Sequence, residues 1–243
     1  MAAAPRREPK VLTFDVVGTL IDFETGILTY LRRRCGPAAA ALSDDAILAP
    51  YRRARSRPEV IAFPDDLEPL YRVIAPQLGL PDDPEIAAGF AQSVRDWPAF
   101  PDSIAALARL GTRYRLVAMT NARRWALEHM LQTLRDPFHD SVTADEALCE
   151  KPDPQFFAFT RGRLSRDGDF MEDILHVAQS QYHDIGVARR LGYTVCWIER
   201  RQGMKGAGGT IEAPHTVPDY HFARLEQLAD LAESGQLLML PQA

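Results

Sequence analysis

Lysine is almost missing from this chain. Arginine supplies 25 of the 28 basic residues, and Lys10, Lys151 and Lys205 supply the rest. A lysine that stands in a motif is therefore conspicuous. Long apolar runs are absent too: none approaches the roughly 20 residues that cross a bilayer, so no membrane-spanning helix is expected. Cysteine is sparse and scattered. Cys35, Cys149 and Cys196 have neither metal-ligand nor redox spacing, and an odd count without an export signal points to a reducing cytoplasm. Beyond Arg32-Arg33-Arg34 there is no dense basic run, and the net charge is -5. That balance argues against nucleic acid or an acidic membrane as partner and leaves small molecules. No internal repeat occurs.

What is present fits an ordinary globular chain: 243 residues, 46% hydrophobic and 25% charged, enough for a core plus a sizeable insertion. The opening MAAAPRREPK reads as a frayed tail, residues 1–10, because the apolar run behind it stops at Asp15. VLTFD (11–15), RLVAMTN (115–121), ILHVAQ (174–179) and TVCWIER (194–200) are short, apolar and rich in β-branched residues, and each reads as a strand buried on both faces. Helical patterns over 122–134, 154–164 and 184–191 separate the later ones. Such alternation predicts an α/β fold, a Rossmann-like parallel sheet with helices on its faces, whose ligands sit at the carboxyl ends of the strands. Asp15, Thr120-Asn121 and Gln179-Ser180 all fall at such ends. Lys151 lies in the loop CEKPDP, before a helix that Pro152 and Pro154 help to start.

Between 23 and 98 the texture changes. Alanine- and arginine-rich helical segments punctuated by Pro50, Pro58, Pro64, Pro69, Pro76 and the cluster LPDDP predict an inserted α-helical cap, with Trp97-Pro-Ala-Phe-Pro101 as its outgoing linker. The core then comprises 11–22 and 99–243. GMKGAGG, at 203–209, lacks the spacing of a phosphate-cradling loop.

A lone aspartate at the end of a strand is ordinarily a turn or a helix cap. FDVVGTLID, VAMTN, EKPDP and VAQSQYHDIGVARRLG in that order, with a helical insertion after the first, change that reading. The set resembles the haloacid dehalogenase superfamily from Val11 onward. The resemblance implies a mobile helical cap over a Rossmann-like core and a nucleophilic aspartate, here Asp15, that forms a covalent intermediate. Thr120 and Asn121 match the motif that holds the substrate's anionic part, Lys151 the lysine against the nucleophile, and Asp184 the acidic residue of the fourth motif. Independent chemistry agrees. A neighbouring ammonium keeps an attacking carboxylate ionised, and an aspartyl ester needs a water positioned by polar groups such as Gln179, Ser180, Gln181 and Asp184, with Asp184 the first candidate for the base or orienting group.

The departures from the pattern narrow the chemistry. Phosphatases of the superfamily read Asp-x-Asp, the second aspartate protonating the leaving alkoxide; Val17 stands in its place and has no proton to give. Where they carry Gly-Asp-Ser to hold magnesium, this chain has Ala178-Gln179-Ser180, and a neutral amide suits a hard dication poorly. No metal and no cofactor are expected. Halide leaves carbon without protonation, so the sequence looks most like the L-2-haloacid dehalogenases, hydrolases of small 2-haloacids. Tyr51-Arg52-Arg53 resembles that subgroup's aromatic-arginine pair, which receives the halide, with Arg52 the first candidate; a solvated helix face is the plain alternative. Thr19, Val17, Gln179, Ser180 and Gln181 complete the expected substrate surroundings, and the resemblance implies a homodimer through the cap. A phosphatase, a hydrolase of another small acid and an inactive binding scaffold remain alternatives. A Schiff-base phosphonatase is not, because no lysine occurs between Lys10 and Lys151. His183 reads as a surface or partly packed histidine, and Trp97, Trp125 and Trp197 as packing.

Overall fold

All four apolar runs form parallel strands in a computed structural model that describes residues 7–56 and 62–239. They are β1 (Val11–Phe14), β2 (Arg115–Thr120), β4 (Ile174–Ala178) and β5 (Thr194–Ile198). Two further strands, β3 (Asp140–Thr143) and β6 (Tyr220–Phe222), extend the sheet at its margins, giving the order β3-β2-β1-β4-β5-β6, parallel throughout. Sequence reading missed both. DSVT and YHF are short, partly polar edge strands, and edges escape the burial that makes a central strand apolar.

The chain leaves β1, builds β2 and β3 on one side, and returns to β4 on the other. β1 therefore lies at the switch point, where a crevice opens beyond the carboxyl ends. Phe14 is level with Ala118 of β2 and Val177 of β4, so the residues that follow those strands converge.

Side chains alternate between the faces with the period of two that extended backbone imposes. Leu12, Phe14, Leu116, Ala118, Leu175 and Val177 join one apolar core, which runs on into the helices of the insertion; Val11, Val117, Met119, Ile174 and Ala178 join the other, beneath Phe156 and Phe157. Two polar residues interrupt that second face. Thr13 and His176, paired in register, are fully buried and hydrogen-bonded to each other at 2.9 Å.

The insertion departs after Asp22 and returns at Pro98, where the Asp22 N–H donates to the Pro98 carbonyl (2.8 Å) and the Phe100 N–H to the Leu20 carbonyl (2.9 Å). Between these points lie α1 (Phe23–Cys35), α2 (Pro37–Ala40), α3 (Asp44–Arg55), α4 (Leu67–Leu78) and α5 (Pro84–Gln92). Asp22, Ser43 and Asp83 accept from backbone N–H groups at the starts of α1, α3 and α5, the expected role of such residues. Core helices that bear on the site are α6 (Arg124–Thr133) and α7 (Pro154–Arg166). Six residues of the expected tail, and Pro58, lie outside the described residues. Residues 7–10 lie against the core, with Lys10 bonded through its backbone to Asp173 and Arg115. Among the described residues no helix is long and apolar enough to cross a membrane.

Candidate active site

Beyond Phe14 the backbone turns sharply: Leu20 and Ile21 both donate to the Val16 carbonyl, and Gly18 adopts a φ of +91, which a side chain at that position would resist. The turn carries Asp15 to the mouth of the crevice and folds Thr19 back onto it. Thr19 Oγ1 donates to Asp15 Oδ2 at 2.7 Å and itself accepts from the Gln179 N–H at 2.8 Å, tying the first strand end to the fourth.

The lysine that stood out in the sequence reaches the same point. Lys151 Nζ donates to Asp15 Oδ1 (2.9 Å), Asp184 Oδ1 (2.6 Å) and the Met119 carbonyl (2.7 Å), which uses all three of its hydrogens. Asn121 fixes the lysine's backbone from both sides, donating to its carbonyl at 2.8 Å and accepting from its N–H at 2.7 Å. Asp184 Oδ1 also meets His176 Nε2 at 3.1 Å, and His176 leans on Thr13, so a chain of hydrogen bonds buried inside the sheet sets the acid. His176 carried no signal in the sequence, because an inward polar residue of a central strand is recognised only once its register is known.

Burial distinguishes the members of this cluster. Lys151 is 2% exposed and Asp184 0%, whereas Asp15 is 6% exposed and opens on the cavity. Burial works against the charge on Lys151, but Asp15 and Asp184 overcome it and hold its pKa above the ordinary lysine value. Burial also opposes ionisation of Asp184, yet Lys151 and His176 pull its carboxyl down to about 2. Asp15 goes the other way: burial, abetted by Asp184, raises it above its ordinary value against the pull of Lys151 and Thr19. Of the two acids, Asp15 is the more basic and the more accessible. Both features suit a nucleophile.

Asp15, Val17, Thr120, Asn121, Lys151, Gln179, Ser180 and Asp184 line one cavity of about 80 Å³, roofed by Phe23, Tyr51, Arg55 and Phe63 from the insertion and by Gly209, Thr210 and Ile211. Sequence reading brought most of these together. Thr19 acts behind Asp15 rather than on the cavity wall. The side chains of Thr120 and Asn121 are engaged with protein, Thr120 Oγ1 accepting from the Ala122 N–H at 3.1 Å.

Two expected substrate residues lie elsewhere. Gln181 turns away to Thr216, accepting from its N–H at 2.9 Å. Arg52 donates to the Gly208 carbonyl and faces Glu212 at 3.5 Å, while Arg53 is exposed. The arginine on the cavity is Arg55, paired with Asp66 and set 5.3 Å over the Phe63 ring. Helical spacing explains the difference: Tyr51 lines the cavity, and the residue that shares its face is four places on, not one. Gly209 to Ile211 belong to the glycine-rich loop and its continuation, whose part in the site is tertiary.

The site fits a divalent cation poorly. Val17 offers no ligand, the Gln179 amide is turned to Thr210 Oγ1 at 3.1 Å, and the Lys151 ammonium already bridges the two carboxylates. No cluster of three or more His, Cys, Asp or Glu arranged around a metal position occurs among the described residues.

Solved structures share this architecture. An L-2-haloacid dehalogenase from Xanthobacter autotrophicus superposes with a TM-score of 0.72 at 20% identity, covering 93% of this chain and 98% of its own. The fold is that of the haloacid dehalogenases. A defluorinating L-2-haloacid dehalogenase matches with a TM-score of 0.73 at 21% identity, over 93% of this chain and 96% of that one. A HAD-hydrolase from Bacillus subtilis bound to magnesium gives 0.74 at 18%, over 93% and 100%. No family model and no curated protein matches the sequence. At such identities the likeness to the haloacid dehalogenase fold extends to architecture alone.

Proposed function

We propose that the protein is a hydrolase that removes halide from small 2-halocarboxylic acids, with Asp15 as nucleophile and the helical insertion as a cap over the cavity. One observation carries the reading: Asp15 faces the cavity with one oxygen held by Lys151 and the other by Thr19, while Val17 supplies no acid to protonate a leaving group. Halide is a leaving group that needs none. A carboxylate oxygen of Asp15 attacks the α-carbon of the acid, the carbon–halogen bond breaks, and halide departs with the bonding electrons. Arg55, paired with Asp66, places a guanidinium on the cavity wall as a donor for the anionic substrate. Water then attacks Cγ of the resulting ester, releasing a 2-hydroxy acid and leaving a solvent oxygen on Asp15.

The test is halide release from L-2-chloropropionate, chloroacetate and fluoroacetate by chelator-treated protein. The unaltered protein releases halide and acquires labelled oxygen from solvent on Asp15, and Asp15→Asn is inactive. Turnover of phosphate esters only on adding magnesium, with no halide released across the panel, overturns the proposal.

A further inference from the structure

We propose that His183 is the base that takes the proton from the water hydrolysing the Asp15 ester, with Ser180 as the residue that sets its ring. This rests on the function proposed above and adds a catalytic residue to it. The geometry begins with a π-helical turn over Gln181–Ile185, a local distortion often found at functional sites, which Ser180 caps by accepting from the His183 N–H at 2.9 Å. The same Ser180 Oγ lies 3.1 Å from His183 Nδ1. An Nδ1–H given to Ser180, whose oxygen has two lone pairs for these two donors, leaves the lone pair on Nε2. Nε2 has no partner among the described residues, and the ring lines the cavity beside Asp15, Lys151 and Asp184.

The imidazole is in the right protonation state to accept. Burial, with Arg55 and Lys151 nearby, lowers it to about 4 against the pull of Asp184, so it is neutral at pH 7. Asp184 is the weaker base of the two, held at about 2 with Oδ1 shared between Lys151 and His176. Its Oδ2 is buried and has no partner among the described residues. His183 Nε2 takes one proton of the water. The water oxygen bonds to Cγ, the tetrahedral intermediate expels the alkoxide of the hydroxy acid by breaking the Cγ–O ester bond, and the imidazolium returns its proton to that alkoxide. The proton left on the Asp15 carboxyl passes to solvent.

The assignment separates the two halves of the reaction, and rapid-quench kinetics with L-2-chloropropionate read them apart. His183→Ala releases close to one halide per chain in a burst and then slows about 10²-fold or more in steady state, the usual range for loss of a general base. An adduct on Asp15 accumulates in the intact mass, and added imidazole restores turnover at least tenfold. His183→Gln, which keeps much of the side-chain volume, shows the same burst, and Ser180→Ala a smaller slowing of the same step. Steady-state turnover unchanged in His183→Ala, or loss of the burst in both His183 variants while they melt like the unaltered protein, overturns the assignment and leaves the dehalogenase reading intact. No halide release from the unaltered protein overturns both.

Discussion

At the scale of single residues, Lys151 determines what the two acids beside it do. An ammonium buried with two carboxylates is costly to desolvate, and its removal costs more, because two like charges then stay buried without the ammonium between them. Lys151→Met should abolish turnover and lower stability by about 3–5 kcal/mol in urea unfolding at pH 7. The pH dependence distinguishes this cause from lost packing. In the unaltered protein Asp184 is held below its ordinary 3.8, at about 2, so its stabilising contribution is complete above 3.8 and is lost only as pH falls through about 2. Without the lysine the Asp184 carboxyl too rises above its unfolded value, joining Asp15, which burial already holds above its own. The folded state then binds the extra proton, and stability increases as pH drops. Urea midpoints compared at pH 7 and about pH 5 should converge between variant and unaltered protein, and a constant gap would assign the loss to packing.

At the scale of elements, α3 shows where sequence stops. Its Tyr-Arg-Arg run is plain to read, and so is its amphipathic character, but the rotation of the helix about its axis is set by what it packs on. Tyr51 turns inward and takes Arg55 with it, while Arg52 anchors the loop at Gly208. Arg55→Ala should lower kcat/KM about 10²-fold, the scale of a lost charge-assisted contact, and Arg52→Ala by less than about fivefold. Equal losses would return the anion-binding role to Arg52. The same division holds in the sheet. β1, β2, β4 and β5 were legible because burial on both faces demands unbroken apolar runs, and the convergence of Asp15 and Lys151 was legible because a charge at such a place needs a partner. β3 and β6 carried no such demand, and the inward His176 was concealed by the apolar residues around it.

At the scale of the whole molecule, the cavity is assembled from parts far apart in the chain, and the loop after β5 joins them. Glu24 of α1 accepts from the Gly209 N–H at 2.8 Å and pairs with Arg201, while Arg52 of α3 holds the Gly208 carbonyl. Core loop and helical insertion thereby close on one another above Asp15. Gly208 and Gly209 of the glycine-rich stretch find their reason in these close approaches. A Cβ on Gly209 would lie 2.6 Å from Cε2 of Phe23 and 3.5 Å from Cδ1 of Tyr51, both roof residues of the cavity. Phe23 is only 9% exposed and meets Tyr51 and Trp97 with ring centroids 6.1 Å and 6.5 Å away, so its ring has little room to yield. The loop must move instead, carrying Thr210 and Ile211 off the cavity. Gly209→Ala should cost about 1–3 kcal/mol of stability, the range for overpacking, and lower kcat/KM. Gly203→Ala is the matched control, since nothing lies within 4 Å of a Cβ there although its φ is +79 and disfavours a side chain. A Gly209→Ala protein with unchanged kcat/KM, beside a Gly203→Ala protein that melts at the same temperature, would show that the loop does not shape the cavity and that its contacts with Glu24 and Phe23 serve stability alone.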